Sequence, residues 1–130
     1  MKAKEIYETY ANLNSVKGKK IPVKTAFIVS RNMKKMQGIV EDLDAGRQEL
    51  LEKYGERNES GALNYKENGS LKITDPDKYI EELTSIMSAD LDFTFDYLSQ
   101  EDIEKCDEDG YDKLTVEEIG ALMSLVGDQA

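Results

Sequence analysis

Residues 22–55 read PVKTAFIVSRNMKKMQGIVEDLDAGRQELLEKYG. Within them Ala26, Val29, Met33, Met36, Val40, Leu43, Arg47, Leu50 and Tyr54 are separated alternately by three and four positions. Side chains at that spacing share one face of an α-helix, and a run of about four heptads is also the pattern of a coiled coil. Pro22 suits a first helical turn because the N–H it lacks would be unpaired there, and Gly55 suits the C-terminal cap. A helix over residues 22–54 would be about 50 Å long at 1.5 Å per residue, against a radius of gyration of about 14 Å for a chain of this size. It must therefore protrude, pack on a partner, or bend, with Gly38 the natural place. Two fates are open for Val29, Met33, Met36, Val40, Leu43 and Leu50. They form the self-association seam of a homodimer, or they face the other helices of their own chain. Arg47 is the one charged interruption.

Outward from this stretch the signals are shorter. Residues 3–14 place Ile6, Tyr10 and Leu13 on one helical face, and Lys17-Gly18-Lys19-Lys20 breaks that helix. In residues 56–74, Leu63 and Tyr65 alternate with polar residues, Asn68-Gly69 follows, and Leu71 and Ile73 alternate again. Asn-Gly between alternating segments predicts a β-hairpin, because both turn positions favour positive φ. Asp75-Pro76 opens a further helix with Ile80, Leu83 and Met87 on its apolar face. Asp90 to Tyr97 alternates strictly and predicts a strand with an apolar face and an acidic one. Ser99–Cys106 suits a short helix, and Leu114-Thr115-Val116-Glu117-Glu118-Ile119 opens the last with a capping box and a hydrophobic staple. The expected fold is α+β and mostly helical. It is one domain over residues 1–130, with a helical part to residue 55, the hairpin over 56–74 and an acidic helix and strand part over 75–130.

Composition narrows the chemistry. The chain has 130 residues, 39% apolar, with a net charge of −10, no histidine, no tryptophan and one cysteine, Cys106. Without histidine there is no Ser–His or Cys–His nucleophile pair and no His-ligated metal site. A lone cysteine forms no intramolecular disulfide, which suits a reducing compartment. The first residues lack the apolar run of a signal peptide, and no stretch approaches the roughly 20 apolar residues that span a bilayer. The expectation is a soluble protein of the cytoplasm. The charge is graded: residues 1–24 sum to +4, residues 25–74 to zero and residues 75–130 to −14. Such a balance argues against direct nucleic-acid binding, which needs lysine and arginine to displace counterions.

Three constellations remain. Asp90, Asp92 and Asp96 would line one face of the expected strand at about 6.6–6.8 Å per two residues, a row of carboxylates able to imitate a phosphate backbone. The segment from Asp107 to Glu118 resembles the loop of EF-hand proteins, with Asp107, Asp109 and Glu118 at its first, third and twelfth positions. It departs from that pattern at Tyr111, which stands at a ligand position, and at Asp112, where a glycine makes the sharp turn. Cys106 is flanked by Glu104, Asp107 and Glu108, which disfavour a thiolate. No glycine-rich phosphate loop is present, and paired carboxylates arise by chance in so acidic a segment.

Lys20-Ile21-Pro22-Val23-Lys24, Arg31-Asn32-Met33, the run from Arg47 to Glu56 and the closing Leu114-Thr115-x-x-Glu118 helix resemble, in their order, a group of small uncharacterised proteins of bacteriophages and prophages. The resemblance implies a viral origin, hence a host bacterial cytoplasm, and no assigned activity or site residue. With no catalytic constellation in the sequence, the expected function is non-enzymatic and without a cofactor. The chain would bind a protein with a basic surface through Asp90, Asp92, Asp96, Asp107, Asp109 and Asp112, as an inhibitor of a host defence or nucleic-acid-handling protein. One alternative is a virion structural or assembly accessory acting through the helical seam. The other is a degenerate calcium module on Asp107, Asp109 and Glu118.

Overall fold

The computed structural model describes residues 1–127, in which five helices follow one another. They are α1 (Ala3–Val16), α2 (Val23–Tyr54), α3 (Pro76–Met87), α4 (Gln100–Glu104) with a 3₁₀ turn over Lys105–Asp107, and α5 (Val116–Met123). None of them is long and apolar enough to cross a membrane. The stretch quoted above forms α2, 32 residues running unbroken through Gly38. Its length outruns one core, and two sets of elements cover it. Val29, Met33, Met36 and Val40 enter the main core with Ile6, Leu13 and Val16 of α1, Phe95, Leu98, Ile103 and Ala121, Leu122 and Leu125 around α5. Further along, Leu43, Leu50 and Tyr54 are also buried, and Tyr54 meets Tyr79 of α3 edge to face at 6.3 Å.

The seam is thus covered by its own chain. Val29, Met33, Met36, Val40, Leu43 and Leu50 are each at most 8% exposed, so they offer no apolar face to a second copy. The buried stripe also departs from the apolar one. Ala26 faces solvent, while Thr25 and Asn32 are almost wholly buried. Their polar atoms have partners: Thr25 Oγ1 donates to the Asp102 carbonyl, and Asn32 bonds the backbone of Asp96.

The expected α+β class is overturned: among the described residues there is no β-sheet, only isolated bridges. Residues 56–74 do not form the β-hairpin. They fold back through single bridges, Gly55–Ile73, Arg57–Leu63 and Tyr65–Leu71, around a turn in which Gly69 has φ +86°. A two-stranded ribbon needs an apolar face packed on something, and here Leu63, Leu71 and Ile73 are only half-buried while Tyr65 is exposed. Asp90–Tyr97 is likewise no strand. It is extended, with Phe95 buried and Leu91 and Phe93 half-buried in the core, but it has no ladder. Alternation reports which side chains face inward; it does not supply a neighbouring strand. In place of one, Asn32 of α2 exchanges two hydrogen bonds with the Asp96 backbone, each 2.8 Å.

Candidate functional site

The C-terminal quarter is built around two capped helices. At α4, the Asp102 N–H donates to Ser99 Oγ (3.1 Å) and the Ser99 N–H to Asp102 Oδ2 (3.0 Å). At α5, the Glu118 N–H donates to Thr115 Oγ1 (3.1 Å) and the Thr115 N–H to Glu118 Oε1 (2.9 Å). Both carboxylates are buried, and each also meets the N-terminal part of the chain. Lys24 lies 3.2 Å from Asp102, Ser15 Oγ donates to Glu118 at 3.1 Å, and Lys19 stands 3.9 Å away. The Ser99 N–H at Asp102 and the Thr115 N–H at Glu118 are the main causes that hold these carboxyls below the ordinary range, against the cost of burial.

Between the two caps runs the loop that carries the exposed charge. Cys106 anchors its start in the core, where burial pushes the thiol up and disfavours the thiolate. Gly110, with φ +95°, lets the chain turn back. Asp112 then clamps the loop to the α1–α2 connection: Lys20 N–H donates to its carboxylate at 2.6 Å, and its own N–H donates to the Lys20 carbonyl at 2.8 Å. The turn encloses a groove of about 520 Å³. Ile103, Cys106, Leu114 and Ile119 give it an apolar floor, and Asp107, Glu108, Asp109 and Asp112 a mainly acidic rim, which Tyr111 and one cation, Lys113, complete. Beside it α5 shows solvent an apolar stripe, Val116 (82% exposed), Ile119 and Met123 (42% each), at positions i, i+3 and i+7.

The six carboxylates singled out from the sequence are not one surface. Asp90 pairs with Lys2 at 3.0 Å, and that hydrogen bond chiefly holds its carboxyl low. Asp96 lies between Arg31 (3.1 Å) and Lys35 (3.4 Å). Arg31 approaches Asp96 Oδ2 without hydrogen-bond alignment, so this is a charge contact. The row expected on one strand face is therefore absent, because two of its three members turn to cations of α2 and the N-terminus. Asp92, Asp107 and Asp109 are exposed and have no cationic partner among the described residues. Glu108, not singled out before, joins the last two.

The EF-hand arrangement is not assembled. Glu118 spends both oxygens on Thr115 and Ser15 instead of facing Asp107 and Asp109. Among the described residues no group of three or more acidic or cysteine side chains is placed to hold a metal ion. Sequence reasoning also missed the α5 stripe. Ile119 was assigned to a staple with Leu114, and only the three-dimensional neighbours show that Ala121, Leu122 and Leu125 take the core while Ile119 and Met123 face solvent. Comparison with protein-family models, with curated proteins and with solved structures returns no match.

Proposed function

We propose that this protein acts without catalysis, by binding a protein partner that presents a basic segment, and that the contact is the groove between the 3₁₀ turn and α5. One observation carries this reading. Asp107, Glu108 and Asp109 are exposed without cationic partners among the described residues, at the rim of an apolar groove that borders the Val116–Ile119–Met123 stripe. Contiguous exposed apolar surface rimmed by charge is characteristic of interaction sites. Carboxylates at such a rim raise the association rate of a basic partner and set its orientation, while the apolar floor supplies the persistence of the complex. Four other carboxylates of this acidic region, Asp90, Asp96, Asp102 and Glu118, serve the fold instead. In the light of the phage resemblance, the partner is a defence or nucleic-acid-handling protein of a bacterial host, whose basic surface supplies the segment.

The test is capture from a nuclease-treated bacterial lysate on immobilised protein, with the bound fraction eluted by a salt gradient. Wild type is compared with Asp107→Asn/Asp109→Asn and with Ile119→Ser. The proposal expects one predominant basic protein, with affinity about tenfold weaker for each variant and falling with salt. Equal retention on all three proteins, or retention indifferent to salt, overturns it.

A further inference from the structure

Arg47 stands where the α2 stripe calls for an apolar side chain, and its surroundings do not satisfy it. The residue is half-buried, and its guanidinium lies 5.4 Å from the Tyr7 ring centre and makes one hydrogen bond, from Nη1 to Tyr7 Oη at 2.9 Å. Among the described residues no carboxylate lies within ion-pair distance of it. A guanidinium carries five N–H donors in a planar fork shaped for a carboxylate, so most of its capacity is unused. Tyr7 cannot satisfy it further. The Tyr7 hydroxyl donates its proton to Asp44 at 2.9 Å and is fixed facing Arg47 as an acceptor.

Arg47 opens into a cleft of about 640 Å³ between α1 and α3. The far wall belongs to α3, which buries none of its side chains fully. Its first half is fastened to α2 through Tyr54–Tyr79 and Lys53–Glu82 (3.1 Å), and its second half leaves Leu83 and Met87 half-buried on the cleft. The α1 rim carries both signs. Lys2 is paired with Asp90 and Lys4 lies 4.0 Å from Glu8; Glu5 and Glu8 line this cleft and also the one on the opposite side of α1. Arg47 is thus the cation at the apolar end without a direct ion pair among the described residues, its link to the Asp44 carboxylate running through the Tyr7 hydroxyl.

We propose that this cleft binds a small amphipathic carboxylate, with the carboxylate on the Arg47 guanidinium and the apolar chain along Leu83 and Met87. The inference is independent of the acidic groove, which lies among different elements. The apolar wall of α3 gives the chain a place to leave water, and the unused N–H donors orient the head group.

Octanoate is the probe, with octanol and inorganic phosphate as controls for the tail and the head alone. Thermal unfolding is measured with each, and direct titration calorimetry gives the stoichiometry. At ten times the dissociation constant, octanoate should raise the wild-type midpoint by about 5 °C, with one site per chain, and neither control should match it. Arg47→Met restores an apolar stripe, so it should fold and lose the octanoate response. Thr84→Trp, which fills the cleft from its exposed rim and leaves Arg47 intact, should lose it as well. An octanol response equal to that of octanoate, an octanoate response that survives Arg47→Met, or no saturable octanoate binding to wild type overturns the proposal.

Discussion

Replacing Asn32 by alanine tests the feature that stands in for a sheet. Asn32 is wholly buried, its Nδ2 donates to the Asp96 carbonyl, and its Oδ1 accepts from the Asp96 N–H, both at 2.8 Å. Each bond contributes about 1 kcal/mol net, but the deletion leaves a backbone donor and acceptor without partners at a partly buried site, at about 1–3 kcal/mol for each group left unmade. The cavity left by the amide adds to this, so the expected loss is about 3 kcal/mol, a midpoint lower by about 12 °C in a domain of this length. Denaturant unfolding followed by circular dichroism measures the free energy. Amide exchange at Asp96 measures the local effect, since its N–H has no other acceptor described. Ser30→Ala, on the exposed side of the same helix, is the control and should cost less than about 0.5 kcal/mol. A loss below about 1 kcal/mol for Asn32→Ala, with Asp96 exchange unchanged, would refute the view that one side chain replaces a neighbouring strand.

Three further outcomes follow from the caps and from one close approach. Asp102 and Glu118 have folded-state pKa values below their unfolded ones, so their contribution is complete above the ordinary carboxylate range of about pH 4 and is lost as the pH falls through the depressed folded values. Urea unfolding between pH 2 and pH 7 should therefore show an acid limb that becomes shallower in Asp102→Asn/Glu118→Gln; an unchanged limb would assign acid sensitivity elsewhere. Millimolar calcium should leave the thermal midpoints of wild type and Glu118→Gln where they were, while Glu118→Gln itself lowers stability by about 1 kcal/mol through the weakened cap. A calcium-dependent rise in wild type that the variant lacks would restore the loop reading. Finally, a Cβ on Gly55 would stand 2.5 Å from the Leu51 carbonyl oxygen and 2.7 Å from Leu63 Cδ2, so Gly55→Ala should cost about 2 kcal/mol by denaturant titration, and a neutral result would show that the bridged loop gives way freely.

How much of this was legible in the sequence depends on whether the deciding information is local. The 3,4 spacing of residues 26–54 is local, and so are Asp75, Ser99 and Thr115 as caps, since each bonds a residue three positions on. Alternation in residues 63–73 and 90–97 is also local, yet a strand is defined by a partner. Those partners are missing, which is why two alternating segments became a bridged loop and an extended tether. Polar residues at inward positions mislead in the same way. Nothing near Thr25 or Asn32 announces that carbonyls 77 and 64 residues away await them. The six carboxylates failed as one site for that reason too. Lys2 and Asp90, or Arg31 and Asp96, are remote in sequence, and only the fold sorts neutralised acids from free ones.

That sorting gives the charge gradient its meaning. The lysine-rich start of the chain and its acidic end are brought together by folding: Lys2 on Asp90, Lys19 beside Glu118, Lys24 on Asp102, and the Lys20 N–H on Asp112. Part of the opposition between +4 and −14 is therefore a means of seating the 90–97 segment, α4, the loop at Asp112 and α5 on the N-terminal part of the chain. The first-segment lysines are too few to answer every acid, and the uncompensated remainder includes Asp92 and the exposed 107–109 turn. Salt separates the two uses. The caps are buried and hydrogen-bonded, so moderate salt leaves them nearly intact, whereas exposed carboxylates are screened over about 8–10 Å near physiological ionic strength. Binding at the 107–109 turn should accordingly weaken over a salt range in which the unfolding free energy barely moves. A fold that softened in step with the loss of binding would mean that the acidic turn is simply the outer edge of the same internal seating.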